Sequence, residues 1–444
     1  MHIHIILLQH IIMKKIITFA LISLCLTTFS VLFLSCEKDE SNSNNQLPYI
    51  DLGDNKYTIN YIDYSIEGNE ATVTGANPQL SLIYIPEKIS IKKNNQSIDY
   101  KVTTISASAF SGHSNVIEIK IPNSIDHIGN DAFYNCLKLE TIILNNNYIL
   151  STNHELKNLF GPQIKKYVIG DDVTIIGDYA FYKCSNVKSI VLGKSVKEIG
   201  RSAFFDCTGL TSIELPNSLK TIHPDAFSNC SNMSSISIPS SVSSIGANAF
   251  EHCENLKKVI IQDIAAWCNI SFSNNLANPI CYSNSLYIDN SKLTSIEIPN
   301  TVTSIGDYTF SYYTNLNQVI IPESVMMIGN HAFEFCTNLT SLKIPNSVKY
   351  IGFNAFDYCR GMQSLTIPSS VTNIADYAFE DCSSLQNIYT DLNPQSISLG
   401  RNIFWGVPVA SCILHVKVEY LDLFKSTYQW MDFWQIEGDY NSQK

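Results

Sequence analysis

The chain has 444 residues, 45% of them apolar, enough for two or three ordinary domains or one extended array. Forty acidic residues against 29 Lys and Arg give a net charge of −11 with no basic run, which excludes the electrostatic footprint that a nucleic-acid partner requires. Only 16% of residues are charged, and the Ser- and Asn-rich polar remainder suits a secreted or surface-displayed protein.

Residues 13–34, "MKKIITFALISLCLTTFSVLFL", begin with two lysines and continue as an apolar or small-residue stretch, the layout of a bacterial secretion signal, with Met13 read as the start. "SCEKDE" follows, with Cys36 at the polar boundary, as in lipoprotein signals whose cleaved chain begins at a lipidated cysteine; Phe33 stands where Leu is more usual. The competing reading is an uncleaved transmembrane helix, since the stretch approaches the ~20 residues that span a bilayer. Several acyl chains on Cys36 would hold the protein, because one alone anchors weakly. The acidic Lys38-Asp39-Glu40 triplet resembles the export signal of surface lipoproteins in Bacteroidetes-type bacteria, which implies the outer membrane, facing outward. Cleavage would remove Lys14 and Lys15 and no acid, leaving 27 basic against 40 acidic residues, or −13. The expected boundaries are a signal at 1–35, the lipidated Cys36 with a tether through 47, an N-terminal β cap at 48–100, repeats at 101–405 and a closing segment at 406–444.

Within the cap, "KYTINYIDYSIEGNEATVTGA" alternates apolar and polar residues around Glu-Gly-Asn and predicts a β-hairpin covering the first repeat. Beyond it, a motif Phe falls at 110, 133, 181, 204, 227, 250, 310, 333, 356 and 379, with gaps of 23, 48, 23, 23, 23, 60, 23, 23 and 23. A degenerate unit around Leu159-Phe160, an enlarged one around "DIAAWCNISFSNNLANPICYSN" and a last one at Phe404 bring the array to thirteen turns.

Each unit reads as in "CTNLTSLKIPNSVKYIGFNAFDYC", residues 336–359. Leu342 and Ile344 alternate with Lys343 as a strand with one buried face, and Pro345 closes it by removing an N–H. Val348 and Ile351 start a second extended segment, Gly352 permits a turn, and "NAF" is long enough for one helical turn. No unit buries its apolar face alone; stacked at the ~4.8 Å strand spacing, thirteen coils span roughly 60 Å.

The recurring pattern Cys-x-x-Leu-x-x-Ile-x-Ile-Pro-x-x-Val-x-x-Ile-Gly-x-x-Ala-Phe closely resembles the BspA-like leucine-rich repeat family over about residues 90–440. The "AAWCNISF" insertion and the ending "CILHVKVEYLDLFKSTYQWMDFWQI" are similar to that family's enlarged repeat and closing segment. The resemblance implies a leucine-rich repeat solenoid of right-handed coils, with short parallel β-strands and single helical turns, capped at both ends. It also implies a non-enzymatic adhesion role, attaching to host or bacterial proteins through the repeat surface. The alternative is an accessory surface lipoprotein for glycan or protein nutrient capture.

Cys136, Cys184, Cys207, Cys230, Cys253, Cys336, Cys359 and Cys382 share one column, replaced by His113 and Tyr313 in two coils. A disulfide or zinc site does not tolerate that exchange, whereas a packing position does, so these thiols read as small buried hydrophobes. Cys268 and Cys281, outside the column, are the better disulfide candidates. Histidines are scattered, and Asp178, Glu214, Glu297 and Asp376 occupy variable columns that read as solvated surface. No HExxH, GxSxG or phosphate loop occurs, so neither a catalytic set, a cofactor nor a metal is expected.

In each strand, the residue between the two buried positions points outward: Lys120, Val191, Glu214, Ser237, Ile260, Glu297, Ile320, Lys343 and Thr366. Beside it runs a mostly serine column, Ser189, Ser212, Ser235, Ser295, Ser341 and Ser364. The varied column between uniform ones is the candidate binding face, with Met326 and Met327 as added apolar contacts; a column that merely tolerates anything is the equal alternative.

Overall fold

A computed structural model describes residues 49–152 and 155–441. Cys36 and the expected signal and tether lie outside the described residues. Two compact units divide the chain after Tyr61. In the first, strands Ile50–Gly53 and Lys56–Ile59 pair antiparallel around Asp54 and Asn55, both at positive φ (50° and 59°), as a tight hairpin turn requires.

The second unit opens with the predicted hairpin, Ile62–Glu67 against Glu70–Ala76, turning at Gly68 (φ 60°). Strand Glu70–Ala76 pairs in parallel with Gln96–Ile105, which continues onto His127–Ile128, so the cap sheet feeds directly into the repeat. Strand Leu82–Tyr84 provides the first rung of the repeat ladder by pairing with Glu118–Ile121.

From there the chain is a β-solenoid of about 14 turns at 23-residue spacing. The thirteen turns read from the Phe column gain a closing one, in which Trp430 packs 5.0 Å from Phe404. A regular coil contributes two strand segments; after Thr141–Leu144 the second is replaced by helix Asn147–Ser151, and at Glu214 the first is reduced to a single bridge. The first sheet runs in register, for example Glu118, Thr141, Lys166 and Ser189, or Ser341, Ser364, Asn387 and Ile413. The second uses pairs of residues such as Glu198–Ile199, Thr221–Ile222 and Ser244–Ile245.

Interior columns are fully buried: Leu342, Ile344, Val348, Ile351, Ala355, Phe356, Cys359 and Met362 are each at most 2% exposed. The phenylalanines stack as rings one coil apart, Phe181 on Phe204 at 5.0 Å and 6°, Phe204 on Phe227 at 5.0 Å and 5°. Each such side chain contributes about 1.5–3 kcal/mol through burial.

Except in the degenerate coil, where helix Leu156–Phe160 forms, the segment around the motif Phe is not the expected helical turn. Two successive turns form instead, with left-handed residues two before and two after the Phe, such as Tyr179 (φ 60°) and Lys183 (φ 54°) around Phe181. Alternating handedness turns every second N–H outward along the stack. Tyr179, Phe181 and Lys183 donate to the carbonyls of Arg201, Ala203 and Phe205 in the next coil, at 2.9, 2.7 and 2.7 Å. A left-handed non-glycine residue costs about 1 kcal/mol or more. The cross-coil bonds, each worth about 1 kcal/mol net, offset it. Asp, Asn, Ser and His fill many of these sites because short polar side chains tolerate the conformation.

The enlarged coil breaks the Phe column between Phe250 and Phe310. Helix Ile264–Cys268 is capped by Asp263, whose carboxylate accepts from Ala265 and Ala266, and buried Trp267 donates Nε1–H to Thr309 at 3.0 Å. Strand Leu286–Ile288 then folds back on Ser291–Lys292, interrupting the first sheet. Cys268 and Cys281, the expected disulfide candidates, are both free, each held in its own short helix.

At the far end, Trp430 and Phe433 cover Phe404. Buried Gln429 supplies what a further coil would: its Oε1 accepts from Ile403 N–H at 2.8 Å and its Nε2 donates to the Gly400 carbonyl at 2.7 Å. The closing role expected of "YQWMDFWQI" thus has a hydrogen-bonding as well as an apolar basis.

Candidate binding face

The outward column of the first sheet runs in register in four stretches, broken after Val191, Tyr287 and Ile320. Lys120 pairs with Ile143, Ile143 with Val168 and Val168 with Val191; Ser237 pairs with Ile260 and Ile260 with Tyr287. Glu214 bridges to Ser237, Glu297 pairs with Ile320, and Lys343 pairs with Thr366. Lys120, Val191, Glu214, Glu297, Ile320 and Lys343 are exposed; Ser237, Ile260 and Thr366 are half-buried. Ile143, Val168, Tyr287, Tyr389, His415 and Glu437 extend the same ladder. They sit in strands lacking the closing Pro or in irregular coils, and counting one residue between two buried positions finds them. The neighbouring serines are exposed or half-buried, and Met326 and Met327 are both exposed.

The cysteine column has a more specific role than filling space. Cys136, Cys207, Cys230, Cys253, Cys336, Cys359 and Cys382 each donate S–H to the motif-Phe carbonyl 26 residues back, at 3.1–3.3 Å. After the cap and after the interrupted coil a longer side chain replaces the thiol, whereas Cys184, which follows the degenerate Phe160 coil, keeps it. His113 reaches the Ala76 carbonyl of the cap at 2.9 Å through Nε2. The Tyr313 hydroxyl bonds both the Leu293 carbonyl and the Leu286 N–H beside the interrupted strand. Burial pushes the thiols up, Cys184 and Cys253 to about 12, which suppresses the thiolate that catalysis or metal binding needs.

The profile for BspA type leucine rich repeat regions matches residues 87–159, 157–278 and 283–418 in six copies, well over half of the chain. The chain belongs to this BspA-type leucine-rich repeat family. A leucine-rich repeat protein of Bacteroides ovatus is similar, with 26% identity over 85% of this chain and 98% of its own, at a TM-score of 0.49. A leucine rich cell surface protein of Faecalibacterium prausnitzii is 22% identical over 78% of this chain and 94% of its own, at 0.34. Pneumococcal vaccine antigen PcpA is 18% identical over 87% and 99%, at 0.38. Among functionally curated proteins none matches the chain.

Two of the carboxylates read as solvated surface are structural in this BspA-type array. Asp178 and Asp376 accept the main-chain N–H of Arg201 and Arg401 in the next coil, at 2.7 and 2.8 Å. Glu214 and Glu297 are exposed on the outward ladder. A separate acidic column follows the motif Phe: Glu334, Asp357 and Glu380. Asp357 is 4% exposed, and its Oδ2 accepts from Asn354 Nδ2 at 3.1 Å while Oδ1 has no partner. Burial, then the charges of Glu380 and Glu334, push its carboxyl up to about 7. Beside that column Tyr312, Phe335 and Tyr358 stack at 4.6 and 4.4 Å, and Arg360 lies 4.6 Å over the Tyr358 ring. Sequence reading missed both columns, because the positions vary among residue types and only the 23-residue spacing links them. Among the described residues, no helix is long and apolar enough to cross a membrane.

Proposed function

We propose that this protein is a non-enzymatic, lipid-anchored protein of the outer membrane surface that binds a protein ligand, host or bacterial, along the outward strand ladder. The observation that carries the reading is the contrast between columns. Inward positions repeat the same few apolar residues, whereas Lys120, Val191, Glu214, Ile320 and Lys343 present different chemistry on a rigid, regularly spaced platform. A flat, extended array of rigidly held side chains suits a large surface rather than a small substrate, whose site needs convergent groups in a pocket. Surface placement rests on the residue 13–34 signal and on Cys36 at its polar boundary.

The test is binding of the mature chain to immobilised matrix and bacterial-surface proteins against polysaccharides. Ile320→Glu and Val191→Glu should abolish protein binding, while Ile175→Glu on the second sheet should not. Binding only to polysaccharide would favour nutrient capture, and binding indifferent to both ladder substitutions would overturn the face. Cys36→Ala should release the protein from membranes; persistent association would indicate an uncleaved helix.

A further inference from the structure

The last rungs of the first sheet bring together three ligand-type side chains that the sequence keeps apart. His415 lies opposite Glu437 in the register of strands Ile413–Val416 and Gln435–Glu437. Two residues on, Asp439 turns back over the imidazole, held there because Tyr440 N–H donates to the Val416 carbonyl at 3.0 Å. Gly438 permits this approach: a Cβ there would lie 3.2 Å from the Cα of Val418. One ligand atom from each of His415, Glu437 and Asp439 falls within 4.8 Å of the others.

The imidazole is oriented from two sides. Its ring lies flat on Tyr389, with centroids 4.6 Å apart and planes at 11°. Nε2 stands 3.1 Å from Asn387 Oδ1, so with Nε2–H donating there, the Nδ1 lone pair faces Asp439 Oδ1 and Oδ2 at 2.9 and 3.1 Å. A lone pair directed at a carboxylate is repulsive unless a positive charge stands between them, either the proton of an imidazolium or a metal ion. A fixed ring whose second nitrogen is tied to an amide oxygen is the outer-shell arrangement that prepares histidine as a metal ligand.

We propose that His415 Nδ1, Glu437 and Asp439 bind a divalent transition-metal ion of the zinc type, with Asn387 and Tyr389 as positioning residues. One imidazole nitrogen with two carboxylates matches the ligand preference of zinc and disfavours calcium and magnesium, which take oxygen alone. Three protein ligands leave a fourth position open on the exposed side of Glu437 and Asp439. The site stands on its own geometry and does not depend on the ladder binding a protein.

The test is calorimetric titration of the full chain with zinc chloride, run beside His415→Gln, Asp439→Asn and Asn387→Ala, with circular dichroism confirming that each variant is folded. Wild type should take up one more zinc equivalent than His415→Gln. Asp439→Asn, an exposed change that leaves the fold intact, should weaken that equivalent about tenfold or more, and Asn387→Ala should do so without removing a ligand. Calcium chloride should give no such equivalent. Equal zinc stoichiometry in wild type, His415→Gln and Asp439→Asn would overturn the site and leave a shared proton as what joins His415 to Asp439.

Discussion

Cys230 donates its S–H to the carbonyl of Phe204 one coil below, at 3.1 Å, while the same carbonyl accepts Cys207 N–H at 3.2 Å. Both lone pairs of that oxygen are used, and a thiol just long enough to reach it recurs wherever two regular coils meet. Cys230→Ala loses a weak hydrogen bond and leaves a sulfur-sized gap, at a cost of about 1–2 kcal/mol in urea unfolding. At pH 8 the native column thiols should resist iodoacetamide and react only on unfolding. Rapid native alkylation of Cys230 would contradict its burial.

Lys183 pays for its left-handed backbone, whereas the equivalent sites after Phe110 and Phe404 hold Gly112 and Gly406, both at φ 77°. Lys183→Gly should therefore raise stability by about 0.5–1 kcal/mol, opposite in sign to a glycine placed in a strand or helix. Denaturant midpoints at constant slope would measure it.

The Asp357 carboxyl, raised to about 7 against an ordinary value of 3.8, favours its proton in the folded state. Folding takes up that proton between about pH 4 and 7, so the group's contribution is greatest at the acid end and falls as pH rises through that window. Asp357→Asn should stabilise the protein at pH 8 and flatten this part of the pH profile. An unchanged profile would show that Glu334 and Glu380 leave Asp357 ionised.

Gln429 closes the backbone ladder of the turns. Gln429→Ala strands a buried N–H at Ile403 and a carbonyl at Gly400, at about 1–3 kcal/mol each. Amide exchange at Ile403 should accelerate well before that at Phe227, because the terminal coils open first.

The buried lattice was legible in the sequence because strand alternation, Pro345 and its equivalents, and the 23-residue Phe spacing repeat the same residues. The turns were not: alternating handedness is set by hydrogen bonds to the next coil, and Tyr179 or Lys183 carries no local signal for it. Asp178 looked like surface for the same reason, since its partner, Arg201 N–H, is in the next coil. On the candidate face the outward residues could be read from period two, but Gln429 and the His415–Asp439 pair depend on how the chain closes. Cys268 and Cys281 show the converse, since a spacing that invites pairing places them in separate helices.

Successive coils share one interior, and a double-mutant cycle on Phe204 and Phe227 tests this most directly. Each single change to Ala should cost about 3–5 kcal/mol. Rings stacked 5.0 Å apart should couple by about 0.5–3 kcal/mol, whereas Phe204 and Phe356, several coils apart, should be additive. Strict additivity between Phe204 and Phe227, or near-zero cost for either change alone, would contradict the stack.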